Sequence, residues 1–419
     1  MANRSWTKVH LNKIPERNFW VGLWIATLYL SYRYPLQINN SGTSPSYADT
    51  PTSLQAGKYV LTFFVCCISA PFIFKRQLSR FQVAIVVLTI AIFGFPLFKL
   101  LGGFDGTYVD ISFWPLAALV LVIPLKSIRL GAIDRYFKVV FWLALMSDLI
   151  QIALFVLFGR LPALAFKESL SVRFGGFLDD PNGFGAILFL LMGWSFYRFN
   201  GKKRIFMQLA LVILLLMTQS LTSIGFLGIL IFVMTCRQVV KKPLSIFWIL
   251  ILSAAIFALL EISHAFEIIS LVLANKSGSA ADHLSIPWGN LIEGWKKWFF
   301  LGGPAYQQYE SWWASSLIDF GVVWYVGNLV LTFVLTYRVW RAFQSFPPGK
   351  EKSVLAGILL FCTFFVVGSA NLPFFTIFPI NFLFYLFCFV FSLKKTTKRS
   401  TLHHTSQPSL AGEMPPALI

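Results

Sequence analysis

Charge is thin in this chain, and acidic charge thinnest of all. Asp, Glu, Lys and Arg together make up 12% of the residues, and the 17 acidic side chains are outnumbered by 35 basic ones. Soluble domains carry about 25% charged residues, so an ordinary soluble globular fold is excluded. Cysteine is also too sparse and too badly placed to form a framework. The five, Cys66, Cys67, Cys236, Cys362 and Cys388, lie in or at the ends of apolar runs, which gives neither a disulfide scaffold nor metal-ligand spacing. No internal repeat marks the inverted halves of a transporter. The N-terminal region lacks a short apolar core with a cleavage site, so the first span is expected to remain as an anchor.

What is abundant is apolar and aromatic. The chain is 57% hydrophobic, with 45 Phe and 14 Trp, as expected of an all-α polytopic integral membrane protein. Spans of roughly 17 to 25 apolar residues predict twelve helices, near 19–34, 59–74, 81–100, 110–125, 139–158, 182–197, 205–219, 223–236, 243–261, 316–337, 353–369 and 375–393. They form a single transmembrane domain over 1–399. Residues 400–419, rich in Pro, Ser and Thr, read as a disordered cytoplasmic tail.

Orientation follows from the basic residues, which favour the cytoplasmic ends of spans. With both termini inside, 26 of the 35 fall on the inner side. The outer nine are Arg33, Lys58, Lys99, Arg160, Lys167, Arg173, Lys276, Lys296 and Lys297. The net charge of +18 is thus an inner-leaflet feature, which points to anionic lipid as a partner and not to nucleic acid.

Two outer loops are long, 159–181 and 262–315, and function is expected there. In the second, Trp288, Leu291, Ile292, Trp295, Trp298 and Phe299 share one helical stripe and predict an interfacial helix, which Gly302-Gly303-Pro304 would stop. The first ends in Arg-Phe-Gly-Gly-Phe-Leu-Asp-Asp-Pro-Asn-Gly-Phe-Gly at 173–185. Here Asp180 can serve as the N-cap and Pro181 as the first helical residue. A helix starting there turns its N–H groups and positive dipole end toward Arg173, so an anion such as phosphate would be met twice. The alternative is a tight loop that merely starts a helix.

Arg160, Lys167 and Arg173 are three cations in one short outer loop, against the positive-inside bias. An arginine fork matches phosphate oxygens and would stabilise a departing pyrophosphate; Arg160 could instead snorkel from its helix end. For a general base the outer loops offer Glu310, held among aromatics at the mouth of a span, and His283 beside Asp282. Either could equally be an interfacial polar residue. Asp148 lies mid-span with Gln151 nearby, and its insertion cost places it toward the bundle interior as a structural hydrogen bond or a cavity wall.

Arg173-x-x-Gly176 followed by Asp180-Pro181-Asn182-x-x-Gly185 resembles the signature of the O-antigen ligase and polymerase superfamily of bacterial envelope proteins. Trp288-x-x-Leu291 leading to Phe300-Leu301-Gly302-Gly303, and Glu310-Ser311 followed by Leu317 and Gly321, resemble two further stretches of that family. The likeness covers roughly residues 135–345. It implies a GT-C-like, membrane-embedded glycosyltransferase in the bacterial plasma membrane, acting on its outer face on undecaprenyl pyrophosphate-linked glycans without a metal or other cofactor. A flippase and a chain-length regulator are the protein partners it implies. Arg173 matches the motif arginine. Leu221 stands where a second arginine is common, and Glu310-Ser311 replaces the His-Asn of the ligase branch. The expectation is therefore a polysaccharide repeat-unit polymerase. A ligase that moves finished glycan to lipid A core or protein is the enzyme alternative, and a lipid-linked oligosaccharide flippase the non-enzyme one.

Overall fold

The structure is a computed structural model. It describes residues 22–27, 52–75, 78–102, 113–123, 130–158, 165–168, 171–178, 180–242, 311–372, 374–375 and 378–388, with positions 247, 251, 261, 288–290, 292, 300, 302 and 303. Nine α-helices are followed through the described residues: α1 (Thr52–Lys75), α2 (Arg80–Leu101), α3 (Leu130–Phe158), α4 (Pro181–Arg198), α5 (Gly201–Met217), α6 (Leu221–Lys241), α7 (Trp312–Ser345), α8 (Lys350–Gly368) and α9 (Ile380–Cys388). Residues 22–27 are helical as well. Among the described residues, six helices are long and apolar enough to cross a membrane: α1, α2, α3, α6, α7 and α8. The chain is thus a mostly helical, membrane-embedded protein.

Most helices outrun the apolar stretches that announce them. α3 begins at Leu130, ahead of 139, and α6 continues to Lys241, past 236. An apolar run measures the hydrocarbon layer, and a helix can continue into the headgroup zone, where water receives its polar side chains. Starts follow ordinary capping chemistry. Ser79 and Gln82 form a capping box at α2, and Ser220 caps α6 through Ser223 N–H.

Three places depart from the expected layout. Residues 114–122 of the 110–125 segment form a nine-residue 3-10 helix, Trp114–Val122. At about 2.0 Å per residue it is about 18 Å long, too short to cross alone. Pro115 near its start removes a backbone donor, and Gln82 Nε2 meets the Leu121 and Val122 carbonyls at 3.4 Å. Within 159–181 the chain forms a small hairpin, β1 (Ala165–Glu168) with β2 (Ser171–Phe174), paired antiparallel. Finally, residues 374, 375, 378 and 379 are turns, and α9 begins only after Pro379.

The core is built around α4. Every residue from Gly183 to Ser195 is buried. α8 crosses it backbone to backbone: a Cβ added at Gly193 would lie 2.6 Å from the Ala356 carbonyl, and one at Gly357 2.6 Å from that of Leu190. Small residues permit such close approach, which van der Waals packing needs where lipid supplies no hydrophobic drive. Phe189 fills the space above, 4.6 Å from the Phe364 ring and 4.9 Å from Phe226. α1, α2 and α6 carry exposed Phe63, Phe98, Ile229 and Phe232, the side chains suited to face lipid.

Contacts sort the helix ends into two poles. At one, Arg198 Nε pairs with Asp134 Oδ1 at 2.8 Å, and Trp194 Nε1 donates to the same oxygen at 2.9 Å. Arg338 lies 4.0 Å over Phe81 and Lys352 lies 4.9 Å over Phe343 there. At the other pole lie the hairpin, the α5–α6 turn, the start of α7, the 369–372 turn and Lys99. Arg198, Arg338 and Lys352 thus lie at the first pole.

Candidate functional site

Arg173 is the penultimate residue of β2, where the register sets it opposite Phe166. Its Nε donates to the Thr218 carbonyl at 3.1 Å and its Nη2 to Asn182 Oδ1 at 3.2 Å. Thr218 is the C-cap of α5, and Asn182 is the second residue of α4. The guanidinium therefore bridges the negative end of one helix dipole and the first turn of the next.

The start of α4 differs from the expected open anion site. Asp180 is the N-cap and Pro181 the first helical residue, but Asp180 Oδ1 accepts from Asn182 N–H at 3.0 Å and Oδ2 from Gly183 N–H at 2.8 Å. The Phe184 N–H goes to the Asp180 carbonyl at 2.9 Å. The N–H groups assigned to a phosphate are thus taken by the nearest carboxylate, which is tethered one residue before the helix. Cationic character here resides in Arg173.

The turn behind Arg173 is gripped from α3. Gly176 has φ 58°, a left-handed conformation that favours glycine, and a Cβ there would overlap the Phe184 ring. Gln151 Nε2 donates to the Gly176 carbonyl at 2.6 Å. Asp148, one turn earlier on α3, is fully buried, and its carboxyl faces the Gly176 N–H without forming a hydrogen bond. The sequence leaves Asp148 as a structural hydrogen bond or a cavity wall; the bond to the Gly176 carbonyl is made by its neighbour Gln151. Phe177 packs edge-on against Phe184 at 5.8 Å and closes the apolar underside.

The α5–α6 turn carries the site across the pole. Thr218 Oγ1 donates to the Leu215 carbonyl at 2.7 Å and accepts from Ser220 N–H at 3.2 Å. Asn371 Nδ2 donates to Thr222 Oγ1. Next to Asn371, the Ala370 carbonyl accepts from Ser311 Oγ at 2.6 Å, and the Ser369 carbonyl from Trp313 N–H at 3.2 Å. A continuous polar seam thus runs from the hairpin to the start of α7.

Arg173, Gly176, Asp180, Pro181 and Asn182 are brought together. Lys167 lies in β1 opposite Val172, so the register does not set it opposite Arg173. Arg160, His283 and Glu310 lie outside the described residues. Of the expected interfacial helix, residues 288–290 and 292 are helical, with Ile292 exposed and Trp288 packed against the core; Gly302 and Gly303 are non-helical. Sequence reasoning missed the part played by the Thr218 carbonyl, Asn371 and the grip of Gln151. A backbone carbonyl has no side-chain signature, and Asn371 reads as an ordinary turn residue after α8. No protein-family model and no curated protein matches this chain.

Proposed function

We propose that this protein is a polysaccharide repeat-unit polymerase of the O-antigen ligase and polymerase superfamily, a twelve-span, GT-C-like glycosyltransferase of the bacterial plasma membrane with both termini cytoplasmic. It joins undecaprenyl pyrophosphate-linked oligosaccharides on the outer face. The observation that carries this reading is Arg173, fixed by Thr218 and Asn182 at the pole opposite the Arg198–Asp134 pair.

In the proposed reaction a hydroxyl oxygen of one lipid-linked oligosaccharide attacks the anomeric carbon of another. The bond from that carbon to the phosphate oxygen breaks, and its electron pair leaves with undecaprenyl pyrophosphate. The hydroxyl proton passes to the Glu310 carboxylate, with His283 as the other candidate base. Arg173 holds the pyrophosphate through paired N–H donors and stabilises its growing charge, aided by Arg160 from the same loop. A polar seam from Arg173 to Ser311, the residue after Glu310, supports a shared site for donor and acceptor.

The test is Arg173→Ala and Arg173→Lys, scored by surface-glycan chain length beside an immunoblot of the membrane protein. Both should accumulate single lipid-linked repeat units and lack long chains, since a point charge cannot reproduce a fork. A wild-type ladder from Arg173→Ala at normal abundance refutes the reading. Full-length glycan that fails only to reach its final acceptor identifies a ligase instead.

A further inference from the structure

α7 is one helix only in outline. Gly321 has φ 79° and ψ 173°, which divides it into 312–320 and 322–345. The second part is about 36 Å long at 1.5 Å per residue, enough for a bilayer core of about 30 Å. The first part is therefore not needed for crossing. It is an added half-helix at the pole of the site, anchored at its start by the Ser311 and Trp313 bonds to 366–370.

A broken helix leaves the carbonyls of its last turn without their i+4 partners. Here the segment around Gly302 takes that place. Gly303 N–H donates to the Ile318 carbonyl at 2.8 Å. The fit excludes side chains: a Cβ at Gly302 (φ 73°) would overlap the Asp319 carbonyl, and one at Gly321 the Phe300 carbonyl. Lys99, from the far end of α2, closes the joint. Its Nζ donates to the Asp319 carbonyl at 2.6 Å and to the Gly303 carbonyl at 2.8 Å, so one ammonium holds both sides. The Phe320 ring lies 5.9 Å away, the Asp319 carboxylate adds its charge nearby, and Lys99 is 3% exposed.

A buried lysine is costly unless its charge is met, and a helix that only crossed the membrane would have no break for it to meet. We propose that Lys99 is a positioning residue: a tethered cation that sets the half-helix 312–320, and through Ser311 the α7 side of the polar seam, relative to Asn371 and Thr222. The consequence for glycan synthesis rests on the polymerase reading. The geometric claim does not.

The test uses the full-length protein with its five cysteines replaced by alanine, a Ser311→Cys and Ala370→Cys pair, and a protease site in the 346–349 turn. Cross-linking with a short dithiol-reactive reagent in membranes keeps the two cleaved halves together on a denaturing gel. Hydrogen bonds to charged groups carry enough energy that Lys99→Met should lower the cross-linked fraction on the order of tenfold, and, made in the protein that keeps Ser311 and Ala370, should shorten the glycan in parallel at equal abundance. Lys99→Arg, which keeps charge and several donors, should recover much of both. If the Met variant does not accumulate, Lys99→Gln carries the same expectation, being neutral and shorter. Parent-level cross-linking in the neutral variant overturns the proposal, as does lost glycan with cross-linking retained. Lost cross-linking beside a wild-type ladder leaves the latch standing and removes this pole from the polymerase reading.

Discussion

Replacing Gln151 by Leu should loosen the arginine hook without unfolding the protein. Gln151 Nε2 and the Gly176 carbonyl are 2.6 Å apart, and Gly176 is buried, so neither water nor another described donor replaces the lost bond. A buried carbonyl left without its partner costs about 1 to 3 kcal/mol. Gly176 lies at the tip of a short turn closed by the Leu178 N–H bond to the Gly175 carbonyl at 3.0 Å, so the cost falls on this turn. Taking about 2 kcal/mol, the ratio of closed to open turn falls about thirtyfold. Peptide-level hydrogen–deuterium exchange on the detergent-solubilised protein reads this directly. The peptide spanning 173–185 should exchange faster by about that factor, while one from 353–366 in α8 keeps its wild-type rate. Glycan chain length should shorten at equal protein abundance. Unchanged exchange at 173–185 refutes the reasoning, and equal acceleration in α8 shows that the damage is global.

Asp148→Asn should keep most of the activity and raise the melting temperature in detergent, because an amide removes the burial cost of a carboxyl that has no hydrogen bond; complete loss of product at normal abundance would show that the charge is needed. Gly193→Val should abolish accumulation of folded protein, since its side chain must push against the Ala356 carbonyl at 2.6 Å or less; size-exclusion chromatography of a monodisperse wild-type-like peak would contradict this. Arg198→Ala should lower the melting temperature by leaving the buried Asp134 carboxylate with Trp194 alone; removing one partner of a buried pair costs about 3 to 5 kcal/mol, so an unchanged melt would mean that the pair is solvated. Cysteines placed at Ser169 and Ser277, in a background without the five native ones, should react with an impermeant maleimide in intact cells, and protection of both until the membrane is opened would reverse the orientation.

The apolar runs located α1, α2, α3, α6, α7 and α8 because a span must hide its backbone from lipid for its whole length, and few sequences satisfy that by chance. Asp180-Pro181 marked a helix start for a local reason, the geometry of one cap. What sequence could not show was who answers whom across the fold. Arg173 reads as a free cation until Thr218 and Asn182 are beside it. The break at Gly321 hides in an apolar run, where glycine is common in membrane helices, and its cause lies in Gly302 and Lys99, far away along the chain. The 165–174 hairpin was too short for its alternation to stand out from a polar loop.

A helix against lipid has a forgiving side, where one greasy residue can replace another. α4 has none: from Gly183 to Ser195 every position meets protein. Each of those residues is answerable to a particular neighbour, so random substitution across α4 should be rejected around its whole circumference, while α1 and α6 tolerate apolar exchange along one half. A saturation library would reveal the architecture without any structure, as an unbroken stripe of intolerance in the chain beginning at the hook.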